Sequence, residues 1–260
     1  MDVVEAAAAK LARSLETKST TDLTAVLARP EVDAVVITTT SGAHHAAVLA
    51  AAAARKHVFV EKPLALTVEE SLECVAACEA AGVILQVGFM RRFDTDIRRV
   101  RDLVKQGAVG NPHIVRVRSF DGIKQPTPYY ATSGGIFMDC TIHDIDTARY
   151  IAGSEIVEVH TTATANDRGF AEFDDVDTVL VALKFANGAI GSIENSRFAA
   201  YGHDTQAEVF GEQGKVHCGP NHANSVVLAT KDGNFGNKSH VVCLFGCTTA
   251  KGVERVNHVI

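Results

Sequence analysis

The stretch from residue 33 to residue 89 decides the fold class: DAVVITTTSGAHHAAVLAAAARKHVFVEKPLALTVEESLECVAACEAAGVILQVGF. Three short runs within it are rich in β-branched residues, which is typical of strands that are buried on both faces. These runs are residues 33–39, 57–60 and 83–89. Helical patterns separate the runs, an alanine-rich one at about 44–54 and another that begins after Thr67. Strands that alternate with helices at this rhythm predict parallel βαβ units.

Local signals indicate where several helices begin and end. Residues 3–15 are rich in alanine, a strong helix former. Thr21 or Asp22 can cap a short helix that Pro30 ends. The sequence Thr67-Val-Glu-Glu70 is a capping box, in which residues at the two ends satisfy each other's backbone donors. Helices are therefore expected on both sides of the buried strands.

After residue 90 the pattern changes to successive strands. Asn187-Gly188, the strongest short hairpin signal, lies between two apolar runs. Strands are expected at residues 114–120, 176–185, 189–198, 205–211, 215–218 and 225–230, with turns at 212–214 and 231–234. One helix is expected from about 138 to 152, ended by Gly153. This region predicts an antiparallel sheet with one helix packed on it. A parallel α/β region for a nucleotide and a second region for a substrate is a common plan of dehydrogenases.

Composition and charge exclude several classes of protein. The chain has 260 residues, of which 47% are apolar and 22% charged, close to globular averages. No apolar run reaches the ~20 residues of a membrane span, and the N-terminus lacks the pattern of a signal peptide. The net charge is −6 and the basic residues form no long stripe, so nucleic-acid binding is not favoured. We therefore expect a protein with no nucleic-acid or membrane partner.

The six cysteines indicate reduced thiols and a cytoplasmic location. Cys74 and Cys78 are four apart on a predicted helix, a spacing that a zinc site can use. No second pair with ligand spacing lies nearby in the sequence, so packing is the favoured role of both thiols. We expect no metal site.

Lys62 lies directly after a predicted strand, in the sequence Glu61-Lys62-Pro63. In an open parallel sheet, ligands bind beyond the carboxyl ends of the strands, so Lys62 occupies a position suited to an active-site residue. Pro63 restricts the backbone and is compatible with a cis bond in a tight turn. By position alone, however, a lysine after a strand is more often a solvated surface residue.

A second group of polar residues begins the predicted helix of the second region. Asp139, His143 and Asp146 have spacings of four and three, which put all three on one face of an α-helix. A histidine flanked by two carboxylates would be oriented, and its protonated form favoured, as suits proton transfer near neutral pH. The alternative is a solvated polar stripe. Gly134 and Gly135 just before it favour the site, since glycine allows close backbone approach.

The ordered set of motifs resembles the glucose–fructose oxidoreductase and inositol dehydrogenase family. The matching pieces are VITTTSGAHHAAVL, KHVFVEKPLALT, LQVGFMRRFD, GGIFMDCTIHDIDTARYI and YGHDTQAEVFGEQGKV. They span roughly residues 2–216 in the family's order and at about its spacing. GFMRRFD, DCTIHDID and YGHDTQ together resemble the inositol 2-dehydrogenase branch.

The resemblance implies an NAD-dependent oxidoreductase that oxidises a secondary hydroxyl of a cyclic polyol or sugar to a ketone. Lys62, Asp139 and His143 match the family's catalytic residues. His143 would take the hydroxyl proton, Lys62 would bind substrate beside the nicotinamide, and Asp139 would bind a neighbouring hydroxyl. This suits a reaction in which an alkoxide forms as hydride leaves.

The resemblance also assigns binding residues. For the polyol they are Arg91, Asp121, Asp139, His143 and Tyr201. For NAD they are Asp2, Thr38, Thr39, His44, Glu61, Lys62 and Arg91. Asp2 matches the acid that holds the adenosine ribose and favours NAD over NADP. Because open sheet faces commonly pair subunits in this family, a homo-oligomer, either a dimer or a tetramer, is expected in the cytoplasm.

The match departs from the family at both ends. The family's first strand and GxGxxG loop, which bind the pyrophosphate, are not among these residues, and the sequence after about residue 227 does not match. Phe120 also replaces a polar residue. The expected fold is α/β: an incomplete Rossmann-type parallel sheet over residues 1–90 and an α+β substrate and oligomerisation domain with a large antiparallel sheet over residues 91–260. Two functions stay open, an active dehydrogenase and an inactive paralogue or fragment that binds a sugar or a protein.

Overall fold

The computed structural model describes residues 1–219, 228–230 and 233–235. The α-helices are α1 (Glu5–Ser14), α2 (Leu23–Leu27), α3 (His44–Ala53), α4 (Val68–Ala81), α5 (Thr95–Lys105), α6 (Thr127–Tyr130) and α7 (Ile142–Ala152). The strands are β1 (Ala34–Ile37), β2 (His57–Glu61), β3 (Leu85–Gly88), β4 (Pro112–Phe120), β5 (Ile156–Thr164), β6 (Thr178–Phe185), β7 (Ile190–Ser196), β8 (Asp204–Gly211), β9 (Gly214–Cys218), β10 (Leu228–Thr230) and β11 (Gly233–Phe235). Short 3₁₀ turns cover Ser41–Ala43, Met90–Phe93 and Arg168–Phe173, and a π-helical turn covers Phe137–Thr141.

The first sheet has three parallel strands in the order β1-β2-β3. All three predicted strands and their parallel pairing are confirmed. Val58 and Val60 of β2 are almost fully buried against α3 and α4, as strands covered on a face by helices must be. Cys74 and Cys78 lie in the same core, and burial raises the pKa of the Cys74 thiol to about 11. Their predicted role as packing residues is therefore confirmed.

The predicted caps form with one change. Asp22 accepts a hydrogen bond from the amide of Thr24 at 2.8 Å and begins α2. Thr67 accepts a hydrogen bond from the amide of Glu70 at 3.1 Å, as a capping box requires. The Glu70 carboxylate accepts from the amide of Leu66 at 3.2 Å, rather than from the amide of Thr67 as the box predicts. These bonds satisfy amides that have no partner within their helix.

The second sheet has six strands in the order β5-β6-β7-β4-β8-β9. It is mixed, and the prediction of an antiparallel sheet is wrong for one pair, because β4 runs parallel to β7. The strand that comes first in the chain inserts between two later ones, and alternation along a strand does not identify its neighbours. The hairpin at Asn187-Gly188 joins β6 to β7 as expected, with Gly188 at φ +89°.

Two helices, α5 and α7, cover one face of the large sheet, where the sequence predicted only α7. The core between them and the sheet contains Ile97, Val100, Val115, Ile136, Ile151, Val179, Phe185 and Ile193. Strand β5, whose sequence IVEVHTTAT is rich in β-branched residues, is a further addition to the predicted strands. Gly153 ends α7 in the left-handed conformation, as expected. The predicted strand 225–230 and turn 231–234 lie partly outside the described residues, and the sequence after residue 235 lies entirely outside them.

Candidate active site

The loop after β2 carries Lys62, whose side chain reaches the start of the α7 region. The Lys62–Pro63 peptide bond is cis. The Lys62 ammonium donates to the main-chain oxygen of Asp139 at 2.7 Å and to Asp139 Oδ1 at 3.2 Å. The two side chains are only 17% and 11% exposed. Two residues that the sequence singled out separately, 77 positions apart, are thus in direct contact.

Asp139 also accepts hydrogen bonds from two residues that sequence reasoning does not identify. Arg197 Nη1 donates to its Oδ2 at 3.0 Å, and Tyr129 Oη donates to its Oδ1 at 2.7 Å. Burial and the nearby Asp139 carboxylate raise the pKa of Tyr129, so its hydroxyl stays a donor. No motif marks Tyr129 in α6 or Arg197 after β7, because their role depends on neighbours distant in the chain.

His143 lies in an environment that differs from the expected one. It is only 6% exposed, and its Nδ1 has no hydrogen-bond partner among the described residues. Burial lowers the pKa of His143 to about 2, with further lowering from the positive charges of Lys62 and Arg91. The imidazole is therefore neutral at neutral pH. The expectation that carboxylates favour its protonated form is wrong.

The reason lies in the helix and in the partners of the two carboxylates. Asp139 sits in the π-helical turn Phe137–Thr141, whose wider spacing breaks the α-helical phase on which the shared face was predicted. Asp146 instead accepts from Arg92, at 2.8 Å from Nε and 2.7 Å from Nη2. Neither carboxylate hydrogen-bonds the imidazole of His143 within the described part of the chain. π-Turns of this kind occur frequently at functional sites.

Asp144, next to His143, is fully buried at the centre of a polar cluster. Ser119 Oγ and Asn195 Nδ2 each donate to it at 2.6 Å, and Arg91 forms an ion pair with its Oδ1. Arg91 was expected to contact the polyol and the cofactor, and the structure places its guanidinium on Asp144. Because Arg91 follows β3 and Asp144 lies in α7, this ion pair joins the region of the small sheet to the helix that carries His143.

Asp121 and Tyr201 are the other predicted polyol contacts. Asp121 directly follows β4, and Tyr201 lies before β8. The Cys140 thiol donates to Asp121 Oδ2 at 3.5 Å, and His203 Nδ1 lies 3.6 Å from Asp121 Oδ1. Burial raises the pKa of Asp121. Tyr201 Oη donates to Asp204 Oδ2 at 3.0 Å. Cys140 is adjacent in sequence to Asp139, so Asp121 lies beside the Lys62–Asp139 pair.

The residues predicted to line the cofactor follow the first two strands. Thr38 and Thr39 come directly after β1 and are exposed, and Glu61 ends β2. His44 is buried, with Nδ1 2.7 Å from the Pro63 carbonyl oxygen and Nε2 3.2 Å from that of Thr39. Its ring therefore connects the loop after β1 to the loop that carries Lys62.

Asp2, the predicted ribose-binding residue, lies just before α1. It is exposed, and its Oδ1 accepts a hydrogen bond from the amide of Val4 at 2.8 Å, just before α1 begins. Its contact with a cofactor stays a prediction.

Among the described residues, no group of three or more histidine, cysteine, aspartate or glutamate side chains is arranged to hold a metal ion. Within the same residues, none of the helices combines the length and apolar character that crossing a membrane requires.

Two family descriptions match the chain in succession. Residues 1–89 match the oxidoreductase family with an NAD-binding Rossmann fold. Residues 97–217 match the GFO/IDH/MocA C-terminal domain. Together they include every residue of the candidate site except Arg91, which lies between the two matches.

Similar proteins include several inositol dehydrogenases. Myo-inositol 2-dehydrogenase of Thermotoga maritima is 40% identical over 85% of this chain and 66% of its own length. The scyllo-inositol 2-dehydrogenase (NAD(+)) of Bacillus subtilis is 38% identical over 90% of this chain and 69% of its own. A crystal structure of a probable dehydrogenase from Thermotoga maritima superposes with a TM-score of 0.83 at 39% identity, covering 90% of this chain and 72% of that one. The chain thus spans about two thirds of the length of the curated relatives it matches.

Proposed function

The chain belongs to the GFO/IDH/MocA family of NAD-binding oxidoreductases, and we propose on this basis that it is a dehydrogenase of the inositol 2-dehydrogenase type. It would oxidise a secondary hydroxyl of a cyclic polyol or sugar to a ketone. The observation that carries the proposal is the contact of Lys62 with Asp139 beside a buried, neutral His143. An ammonium, a carboxylate and a neutral base are the groups that removal of a hydroxyl proton requires.

Each of the two sheets belongs to a region with its own proposed role. Residues 1–90, with the parallel sheet, would form the partial dinucleotide-binding domain. Residues 91–260 would form the substrate and oligomerisation domain. The Lys62–Asp139 contact supports a site between them, because it joins the two regions.

The residues present fit the nicotinamide end of NAD. Exposed threonine hydroxyls after β1 and the polar Glu61-Lys62 sequence after β2 lie at the carboxyl ends of parallel strands, where such sheets bind dinucleotides. Thr38, Thr39, Glu61 and Lys62 would hold the cofactor there, with His44 supporting both loops. When bound, NAD accepts a hydride. Asp2 would contact the ribose.

Each catalytic residue would then act on the substrate hydroxyl. His143 Nδ1 is buried, so Nε2 is the ring nitrogen that can meet a substrate, and it would accept the hydroxyl proton. Burial and the positive charges of Lys62 and Arg91 lower the pKa of His143 and keep the imidazole neutral. In the proposed tautomer Nδ1 carries the proton, which leaves Nε2 free to accept. The Lys62 ammonium would stabilise the negative charge that develops on the reacting oxygen. Asp139 would orient Lys62 and accept a hydrogen bond from a neighbouring hydroxyl, while Arg91, Asp121 and Tyr201 would select the polyol.

The open face of the large sheet supports a homo-oligomer, a dimer or a tetramer. Ile190, Ile114 and Phe210 lie opposite one another across β7, β4 and β8, and two of the three are more than 40% exposed. The neighbouring cross-strand pair of Arg118 and Glu194 provides both signs of charge. A face that carries apolar groups and both charges can pair with a copy of itself about a two-fold axis. The proposed setting is the cytoplasm, since the cysteines in the described residues are free.

NAD binding to the 260-residue chain, measured by calorimetry with and without myo-inositol, tests the proposal. Binding in the micromolar to millimolar range, followed by turnover of a polyol, would support it. Sugar binding without NAD binding would instead favour the second function, an inactive paralogue or fragment that binds a sugar or a protein. The observation behind that alternative is that no GxGxxG motif occurs in these 260 residues.

A further inference from the structure

Arg197 is a buried arginine next to the candidate site. It follows β7 directly, and its side chain is 3% exposed. Nη1 donates to Asp139 Oδ2 at 3.0 Å, and Nη2 donates to Asp175 Oδ2 at 2.9 Å and to Ser133 Oγ at 3.4 Å. A side chain this inaccessible cannot reach a substrate, so any effect on chemistry must act through Asp139.

Packing adds to the hydrogen bonds that hold the guanidinium through Nη1 and Nη2, while its Nε has no partner among the described residues. Two aromatic rings pack on it, with centroids 5.0 Å (Tyr130) and 5.8 Å (Phe170) from its central carbon. The Arg197 amide donates to the carbonyl oxygen of Asp177 at 2.9 Å, which anchors the backbone. Arginine suits this position, because its planar group can stack on rings and hydrogen-bond two carboxylates at once.

Asp175 connects Arg197 to the start of the π-helical turn. Its Oδ1 accepts a hydrogen bond from the amide of Ile136 at 3.0 Å, while its Oδ2 accepts from Arg197. Gly135 permits this approach: it has φ +79°, and a Cβ there would lie 3.3 Å from Asp175 Oδ1. The same carboxylate thus holds both Arg197 and the backbone three residues before Asp139.

We propose that Arg197 is a positioning residue that holds Oδ2 of Asp139, so that Oδ1 faces Lys62 and Tyr129. This rests on the proposed function, in which Asp139 orients Lys62 and binds a substrate hydroxyl. The charges support the assignment, because they alternate along a chain of contacts. Asp175 pairs with Arg197, Arg197 with Asp139, and Asp139 with Lys62. Each of these carboxylates thus has a cationic partner, and each cation has a carboxylate.

The test compares three variants with the parent chain. Arg197→Lys keeps the charge but loses the planar two-pronged contact. The double variant Arg197→Gln with Asp175→Asn removes one charge of each sign, so it avoids an uncompensated buried carboxylate if the single variant fails to fold. Arg92→Lys is the matched control, since Arg92 pairs with Asp146 of α7 without contacting Asp139.

Crystal structures of the variants provide the readout that needs no turnover. We expect Asp139 Oδ1 to move out of hydrogen-bond distance of Lys62 Nζ in the double variant and to shift less in Arg197→Lys. The parent geometry, 3.2 Å, should persist in Arg92→Lys. An unmoved Asp139 in a folded double variant would overturn the proposal, whatever the protein is found to catalyse.

Kinetics with NAD and the best polyol provide the second readout. We expect kcat to fall about 100-fold in the double variant, the usual effect of misplacing a catalytic group by about 1 Å, with partial recovery in Arg197→Lys. KM for the polyol should rise by a larger factor than KM for NAD, because the polyol would meet Asp139 directly whereas NAD is affected only through Lys62. A purely structural role would instead lower the active fraction and leave both KM values unchanged, which would refute positioning. A parent chain without turnover would count against the proposed function alone, since the crystal structures would still decide the role of Arg197.

Discussion

Two sets of arginine–carboxylate pairs in this molecule have similar geometry and different surroundings. Around α7, Arg197 contacts Asp139 at 3.0 Å with side chains 3% and 11% exposed. On the open face of the large sheet, Arg118 contacts Glu194 at 2.7 Å with side chains 37% and 34% exposed. Water screens the second pair but not the first, so the same hydrogen-bond lengths correspond to different energies.

Burial determines how much each of these ion pairs contributes to stability. Breaking an exposed pair typically changes stability by only about 0–1 kcal/mol, whereas removing one partner of a buried pair costs about 3–5 kcal/mol. The buried pairs at the candidate site are Lys62–Asp139 and Arg197–Asp139, and in our proposal the second positions the carboxylate for the first. The predictions below test whether this contrast holds.

Loss of His143 should have the largest effect. His143→Ala removes the proposed base, and we expect turnover of the polyol to fall roughly 10²–10⁴-fold. Steady-state kinetics with NAD measure the change. His160→Ala, in the exposed strand β5, is the control and should keep parental turnover. Near-normal turnover of His143→Ala would remove His143 from the mechanism.

Asp144→Ala should destabilise the fold by about 3–5 kcal/mol, because it leaves Arg91 without its carboxylate and Ser119 and Asn195 without their acceptor. Urea denaturation measures the free energy of unfolding. Glu194→Ala, on the open face, is the matched control. Similar losses in the two variants would contradict the contrast between buried and exposed pairs.

Stability should depend on pH through His143. Its pKa is about 2 in the folded chain and near 6.5 when unfolded, so below pH 6.5 the unfolded chain binds the extra proton. This difference in proton binding lowers the free energy of unfolding. The loss is absent above pH 6.5 and grows as the pH falls, by up to about 1.4 kcal/mol per pH unit. We expect His143→Gln to flatten the fall in unfolding free energy between about pH 6 and pH 4. His160→Gln should not, and equal slopes in parent and His143→Gln would contradict a buried neutral imidazole.

The smallest effect is expected on the open face. A double-mutant cycle of Arg118→Ala and Glu194→Ala should give a coupling of about 0–1 kcal/mol, which decreases with added salt. Chemical denaturation of a dilute sample, in which the proposed oligomer is dissociated, measures it. A coupling as large as that of a buried pair would show that this face is covered even in the dilute protein.

Much of the fold could be predicted because its signals are local. The strands at residues 33–39, 57–60 and 83–89 carry their own apolar pattern, and Asn187-Gly188 marks its hairpin. The parallel pairing of β4 with β7 could not be predicted, since it depends on which strands become neighbours after the chain folds. Strand β5 is absent from the predicted strands although its sequence is rich in β-branched residues, and most of those side chains are exposed rather than part of the core.

The candidate site divides in the same way. Lys62, Asp139 and His143 were identified from a strand end, a helix spacing and an ordered set of motifs. The state of His143 was predicted wrongly, because spacing on an ideal helix cannot show that a π-helical turn intervenes or that Asp146 pairs with Arg92. Arg197 and Tyr129 carry no sequence signal at all.

The sequence by itself determined the α/β class, the elements of the parallel sheet and the identity of the candidate catalytic residues, since each is encoded in a short segment. Only the tertiary structure decided that Lys62 meets Asp139, that Arg197 holds that carboxylate, and that the imidazole of His143 is neutral. The physical reason is that the energy of a charged group depends on all the groups near it in space. In this chain Lys62, Asp139 and Arg197 come from three distant segments.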